Sequence, residues 1–197
     1  MDPRPLFGHT LDQLERLVAT VGSDQLAMPT PCHEFDVRTL LGHVLSVLDW
    51  VRLAGSGRDP VTTAQLVRET ADDAWLATYR EMRVGAEQVW SEEASLDREV
   101  TVPWGTGPGR IAIAGYTMEM LTHAWDLAAA VGRQDDLDSE LGASGLAMAQ
   151  QYVPEEPRGG PVQFGPVVAV GEDADPYSRL AGWLGRNPSA PVGGHAT

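Results

Sequence analysis

The stretch "YTMEMLTHAWDLAAAVG", residues 116–132, decides how the rest of the chain is read. It is dense in Met, Leu, Ala and Trp and closes on a glycine, as a helix buried in a core would. Yet it carries Glu119, His123 and Asp126. Side chains four residues apart on a helix share a face, so Glu119 and His123 stand one turn apart. Tyr116 lies one turn earlier, and Asp126 roughly extends the stripe. A carboxylate and an imidazole at this spacing can bind one divalent cation, but two ligands leave its coordination incomplete.

A third ligand should come from another apolar helix. Of the five histidines, His9 lies near the chain start, His33 in a Pro-rich connection and His195 in the tail. His43 alone falls within an apolar helical pattern, beside Leu40, Val44 and Val47. Each candidate also has an ordinary reading. A histidine on an apolar helix is commonly a hydrogen-bonded core residue. A Glu–His pair at this spacing is common on solvated helix faces. Spacing alone leaves both readings open.

Composition narrows the field around this question. With 197 residues, 43% hydrophobic and 21% charged, the chain is long enough for one packed globular domain. A formal charge of −14 argues against direct nucleic-acid binding, which needs clustered cations, and against anionic membranes. Residues 111–132 have spanning length, but Glu119, His123 and Asp126 would then lie near mid-bilayer at high cost, so no membrane span is expected. Cys32 is the sole cysteine, which precludes an internal disulfide. "MDPRPLFGHTLDQLERL" does not read as a secretory signal, so a reducing cytoplasm is the expected compartment.

Apolar residues at 11, 14, 17, 18 and 21 predict a first helix over roughly 6–22. The Pro-broken "MPTPCHEFD" (28–36) ends in Asp36, a good N-cap for a second helix from Val37 to Ala54 with Gly55 placed to end it. Thr62 or Thr63 is read as opening a long third helix through Trp90, with an apolar stripe at Ala64, Val67, Ala71, Ala74, Trp75 and Met82. "REVTVPW" (98–104) alternates like a short strand, and "GTGPG" (105–109) reads as a loop. The helix with the decisive stretch should run from about 110 to 130. Beyond it come an amphipathic helix over 137–152 and extended chain over 154–170, with Val167, Val168 and Val170 as a strand candidate. A short helix is expected over 176–186. Four long helices with loose connections indicate a helical bundle.

Two segments together resemble a known family. "TPCHEFDVRTLLGHVLSVLDW" (30–50) and "EMLTHAWDLAAAVGR" (119–133) are similar to motifs of the DinB/YfiT-like superfamily, and within it of the mycothiol-dependent maleylpyruvate isomerase branch. The resemblance covers roughly residues 5–152, and "FGPVVAV…DPYSRLAGWLGRNP" is similar to the closing segment of single-domain relatives. It implies an all-α fold: a DinB-like four-helix bundle over 1–152. A short extended, strand-containing appendage with a helix would pack on the bundle over 153–186, and a disordered tail would follow over 187–197. It further implies a divalent metal, zinc or nickel, on His43, Glu119 and His123, with an open coordination position of the catalytic kind. Mycothiol is implied as a thiol cosubstrate and a small-molecule electrophile as its partner; pairing of members through their helices is compatible with a homodimer.

Such a site would activate a thiol as transferase or isomerase. About 45 residues after position 152 are too few for the isomerase's additional C-terminal domain, which favours transfer. A non-enzymatic metal-binding protein and a metal-assisted hydrolase are the competing readings. Cys32, at a helix start, reads more simply as packing than as a nucleophile. Asp126 reads more simply as a surface or inter-helix hydrogen-bonding group than as support for a ligand imidazole. Trp104 and the glycines after it are candidates for a lid, and Trp50, Trp75 and Trp125 for the core.

Overall fold

The computed structural model describes residues 2–60, 69–158 and 164–192. Within them lie seven α-helices and one two-stranded sheet. Helices α1 (Arg4–Val18), α2 (Val37–Gly55), α3 (Trp75–Val89) and α5 (Gly109–Val131) form the bundle. A short α4 (Glu93–Asp97) and a hairpin of β1 (Glu99–Val102) and β2 (Gly105–Pro108) connect the last two. α6 (Ser139–Tyr152) and α7 (Pro176–Trp183) pack against each other and against α5.

Local chemistry explains the boundaries that matter. Asp36 caps α2 by accepting from Thr39 N at 2.8 Å. The loop before it is held by Thr30, whose hydroxyl donates to Phe35 O, and by a Pro29–Asp36 bridge. This fixes where α2 begins and hence where His43 points. Gly55 does not end α2 by adopting a left-handed turn; it is the last helical residue, and Gly57 takes the positive φ of 75°. The reason for a glycine at 55 is proximity: a Cβ there would lie 2.7 Å from Trp90 Nε1. α5 stops at Gly132, left-handed at φ 69°, as its sequence demands.

Three expectations need correction. The third helix begins at Trp75 rather than near 62, because Ala74 N bonds to Ala71 O and closes a turn ahead of it. Ala71 and Ala74 therefore precede the helix, while Ala64 and Val67 lie outside the described residues. "GTGP" is the return strand of a hairpin, with Val100 opposite Gly107 and Val102 opposite Gly105; glycines on the outer strand cost little where no side chain packs. Residues 165–170, with Val167, Val168 and Val170, form no strand, since no neighbouring strand is there to pair with them among the described residues, and a turn from Gly171 to Ala174 follows.

α5 is apolar nearly all round because it serves two cores at once. Ile113, Tyr116, Met120, Ala124 and Leu127 face α1, α2 and α3, whereas Met118, Leu121, Trp125 and Ala129 face α6 and α7. The polar groups Glu119, His123 and Asp126 are thus held between packed layers. No helix among the described residues is long and apolar enough to cross a membrane.

Candidate metal centre

His43, from the middle of α2, meets Glu119 and His123 of α5. One potential ligand atom from each lies within 4.8 Å of the others. His43 Nε2 is 3.3 Å from Glu119 Oε1, and the two imidazole rings stand nearly perpendicular with centroids 4.9 Å apart. Phe35 and Trp50 pack on His43 at centroid distances of 5.4 and 5.6 Å, so aromatic surface walls one side of the cluster. The histidine side chains are each 8% exposed and Glu119 is 21% exposed. Solvent, and any small molecule, therefore reaches the cluster from the glutamate side.

The electrostatics suit a cation. Burial opposes ionisation of Glu119, but the His43 hydrogen bond and the charges of His43, His123 and Arg186 outweigh it and hold its carboxyl below the usual range. Burial lowers the pKa of His123 against the opposing pull of Asp126. At neutral pH the arrangement is an ionised carboxylate with a neutral imidazole whose lone pair is available. Two nitrogens and one oxygen of this kind fit zinc or a similar divalent metal.

His123 is oriented from behind. Its Nδ1 lies 3.0 Å from Asp126 Oδ2, so Nδ1–H donates to the carboxylate and Nε2 is the nitrogen left to face the cluster. Asp126 is fully buried rather than a surface group, and the inter-helix partner is Arg186, whose Nη2 and Nε donate to its two oxygens at 3.0 and 3.3 Å. The direct contact with His123 also forms, which a spacing of three residues left open. The turn after α7 delivers Arg186: Gly185 takes φ 84° and its Cα side sits against Gly165, leaving no room for a Cβ. Reading the sequence missed Arg186. The signal available was a lone arginine in "GWLGRNP", flanked by glycine and an apolar helix.

The other candidates fall elsewhere. Burial, and then the Asp126 charge, push the Cys32 thiol up to about 11, against a smaller opposing effect of Arg186. Cys32 lies in the loop ahead of α2, partly buried, and its raised pKa disfavours the thiolate. Trp104 lies at the hairpin tip, half exposed; its ring covers Gly115 and meets Tyr116 edge-on at 4.8 Å. It caps the neighbouring turn of α5 rather than the histidines.

Residues 7–128 match the family model of the mycothiol maleylpyruvate isomerase N-terminal domain. The chain belongs to this family. Two uncharacterized proteins from two strains of Mycobacterium tuberculosis are each 33% identical over 94% of this chain and 98% of their own length. The family fold is borne out by solved structures. A mycothiol-dependent maleylpyruvate isomerase aligns over 75% of this chain and 66% of its own, with a TM-score of 0.59 at 15% identity. A mutant of that isomerase aligns over 64% and 59%, with a TM-score of 0.54 at 13% identity. The present chain thus matches less than two thirds of the length of either solved isomerase.

Proposed function

We propose that this protein binds zinc or nickel on His43, Glu119 and His123 and uses it to activate a mycothiol-type thiol against an electrophilic small molecule. The observation that carries this reading is the convergence of the three side chains, with ligand atoms within 4.8 Å of one another, from two helices 76 residues apart in sequence. Family membership supports the thiol, since the solved relatives of like fold are mycothiol-dependent by name. Bound at this cluster, a divalent cation would supply the Lewis acidity that lowers a thiol's pKa and provides a thiolate at neutral pH.

The chain's own residues do the rest. Glu119 offsets part of the cation's charge and lies on the solvent side, where the thiol and electrophile must arrive. Asp126 fixes the tautomer of His123, and Arg186 fixes Asp126. Phe35 and Trp50 exclude water from the His43 side, which strengthens every charge interaction within. Reversible addition of sulfur to an activated double bond permits rotation and cis–trans isomerisation. Retention of the sulfur gives an S-conjugate.

Metal analysis of tag-free protein beside His43→Ala and His123→Ala tests the reading, together with consumption of an electrophile with and without thiol. Near-stoichiometric zinc or nickel, lost in both folded variants, and thiol-dependent consumption are expected. Absence of metal from the wild type would overturn the site. Product formation without thiol would assign a hydrolase instead, and metal without any turnover a binding protein.

A further inference from the structure

Arg158, a few residues past α6, is half-buried, and both of its terminal nitrogens are buried without a hydrogen-bond partner among the described residues. A guanidinium removed from water with no acceptor in place is costly. The rest of the group is held. Its Nε–H donates to Glu155 O at 3.0 Å, and its central carbon stands over the Trp183 ring, 5.6 Å from the centroid. Trp183 is fixed in turn, its indole N–H shared between Ala149 O and Val153 O at 3.1 Å each. One edge and one face of the guanidinium are therefore occupied, and the Nη1–Nη2 edge is left over. That edge is a fork that takes two carboxylate oxygens side by side.

Arg158 also lines a cavity of about 520 Å³, together with Glu155, Glu156, Pro157, Pro166 and Val167. That volume lies in the range of small-molecule sites. The other buried donors without a partner, on Trp50, Trp75 and Tyr116, are neutral. Trp50 lies against His43 and belongs to the cluster already described, Trp75 borders an apolar gap too narrow for water, and Tyr116 packs against Trp104. Of these groups among the described residues, Arg158 alone joins a charge to a cavity.

We propose that this cavity is a second ligand site, which binds a small carboxylic acid as its monoanion: the carboxylate on Nη1 and Nη2 of Arg158, the apolar body against Pro157, Pro166 and Val167. The rim favours one negative charge over two. Glu155 and Glu156 are exposed there, and one guanidinium beside two carboxylates leaves a negative surplus that repels a phosphate dianion more than a monoanion. Burial lowers the pKa of Arg158, with the Glu155 charge opposing it, and the guanidinium stays protonated at neutral pH. The site shares no residue with the metal cluster, so it stands or falls apart from the thiol chemistry.

Calorimetric titration of the whole, chelator-treated chain with benzoate, phenylacetate and hexanoate, beside inorganic phosphate and neutral benzyl alcohol, tests this. One equivalent of a carboxylate is expected to bind, more tightly than phosphate, and benzyl alcohol is expected not to bind. Arg158→Gln should weaken that carboxylate by at least about 10-fold, through loss of a charge-assisted pair. Glu156→Gln, which removes one rim charge, should tighten it. No binding of any of the three carboxylates at about 10 mM would overturn the proposal. So would phosphate binding as tightly as the best carboxylate, or an unchanged affinity in folded Arg158→Gln. An NMR titration of the wild type locates the ligand without any variant. The carboxylate should shift the indole N–H resonance of Trp183 and leave that of Trp50 in place, whereas a shift at Trp50 alone would put it at the cluster and overturn the assignment.

Discussion

Arg186 grips Asp126 across 60 residues of sequence, with Nη2 and Nε donating to the two carboxylate oxygens. The same carboxylate accepts from His123, so the closing segment of the chain reaches the candidate metal cluster through one buried aspartate. Removing the arginine would leave that charge in the interior without its cation. Arg186→Ala is expected to destabilise the metal-free protein by about 3–5 kcal/mol in urea titration, since one partner of a buried pair is lost. With His123 less firmly oriented, metal affinity should fall about 10- to 100-fold in competition with a chelator. Adding Asp126→Asn to Arg186→Ala should recover part of the stability by neutralising the stranded carboxylate.

The buried ionisable groups set a direction for the pH dependence of the metal-free protein. His123 has a folded pKa below its ordinary 6.5, so it is the unfolded chain that takes up a proton first as pH falls through that value. Its contribution is complete above 6.5 and declines below it. Glu119 and Asp126 are likewise depressed below their ordinary 4.5 and 3.8, and their contributions are lost on further acidification through those values. Urea midpoints should therefore drop in two stages, one starting near pH 6.5 and one near 4.5. His123→Gln should lack the first stage.

Two glycines should respond to alanine in opposite directions. At Gly109 a Cβ would stand 2.3 Å from Ser95 O and 2.6 Å from Trp90 Cζ3, and the backbone oxygen cannot move aside cheaply. Gly109→Ala is expected to cost about 1–3 kcal/mol, the usual range for overpacking. At Gly8, inside α1, a Cβ would have nothing within 4 Å, and Gly8→Ala should stabilise by about 0.5–1 kcal/mol through backbone entropy. Chemical denaturation of the two variants checks both signs.

Cys32 should be a poor nucleophile. With its pKa raised from 9.0 to about 11, the thiolate fraction at about pH 7.5 is about 100-fold below that of an unperturbed thiol, and alkylation by iodoacetamide should slow by at least that factor. Cys32→Ala should retain thiol-dependent turnover. Loss of turnover in a folded, metal-loaded Cys32→Ala protein would return this residue to the chemistry.

Much of the bundle was legible because its signals are local. The α5 pattern ends at Gly132 as read, Asp36 caps α2, and the 3.6-residue periodicity marks α1, α2 and α6. Errors arose where a local pattern competes with pairing or turn geometry. Alternation along 98–104 revealed a strand, but not that "GTGP" would return beside it, because glycines carry no alternation to read. The alanine stripe before Trp75 looked helical, and the turn closed by Ala71 and Ala74 interrupts it.

For the site, the order of residues along the chain dictated which ligand types were available and which face of α5 they share. Helical periodicity places Glu119 and His123 one turn apart in any fold that keeps the helix. Whether His43 comes to meet them was settled when α2 packed on α5, since no spacing rule spans 76 residues. The same holds for Asp126, whose partner Arg186 lies beyond two further helices and is swung inward by the left-handed turn at Gly185. Periodicity is a property of the backbone within one element. Convergence of ligands, and the burial that sets their charge, are properties of how elements pack.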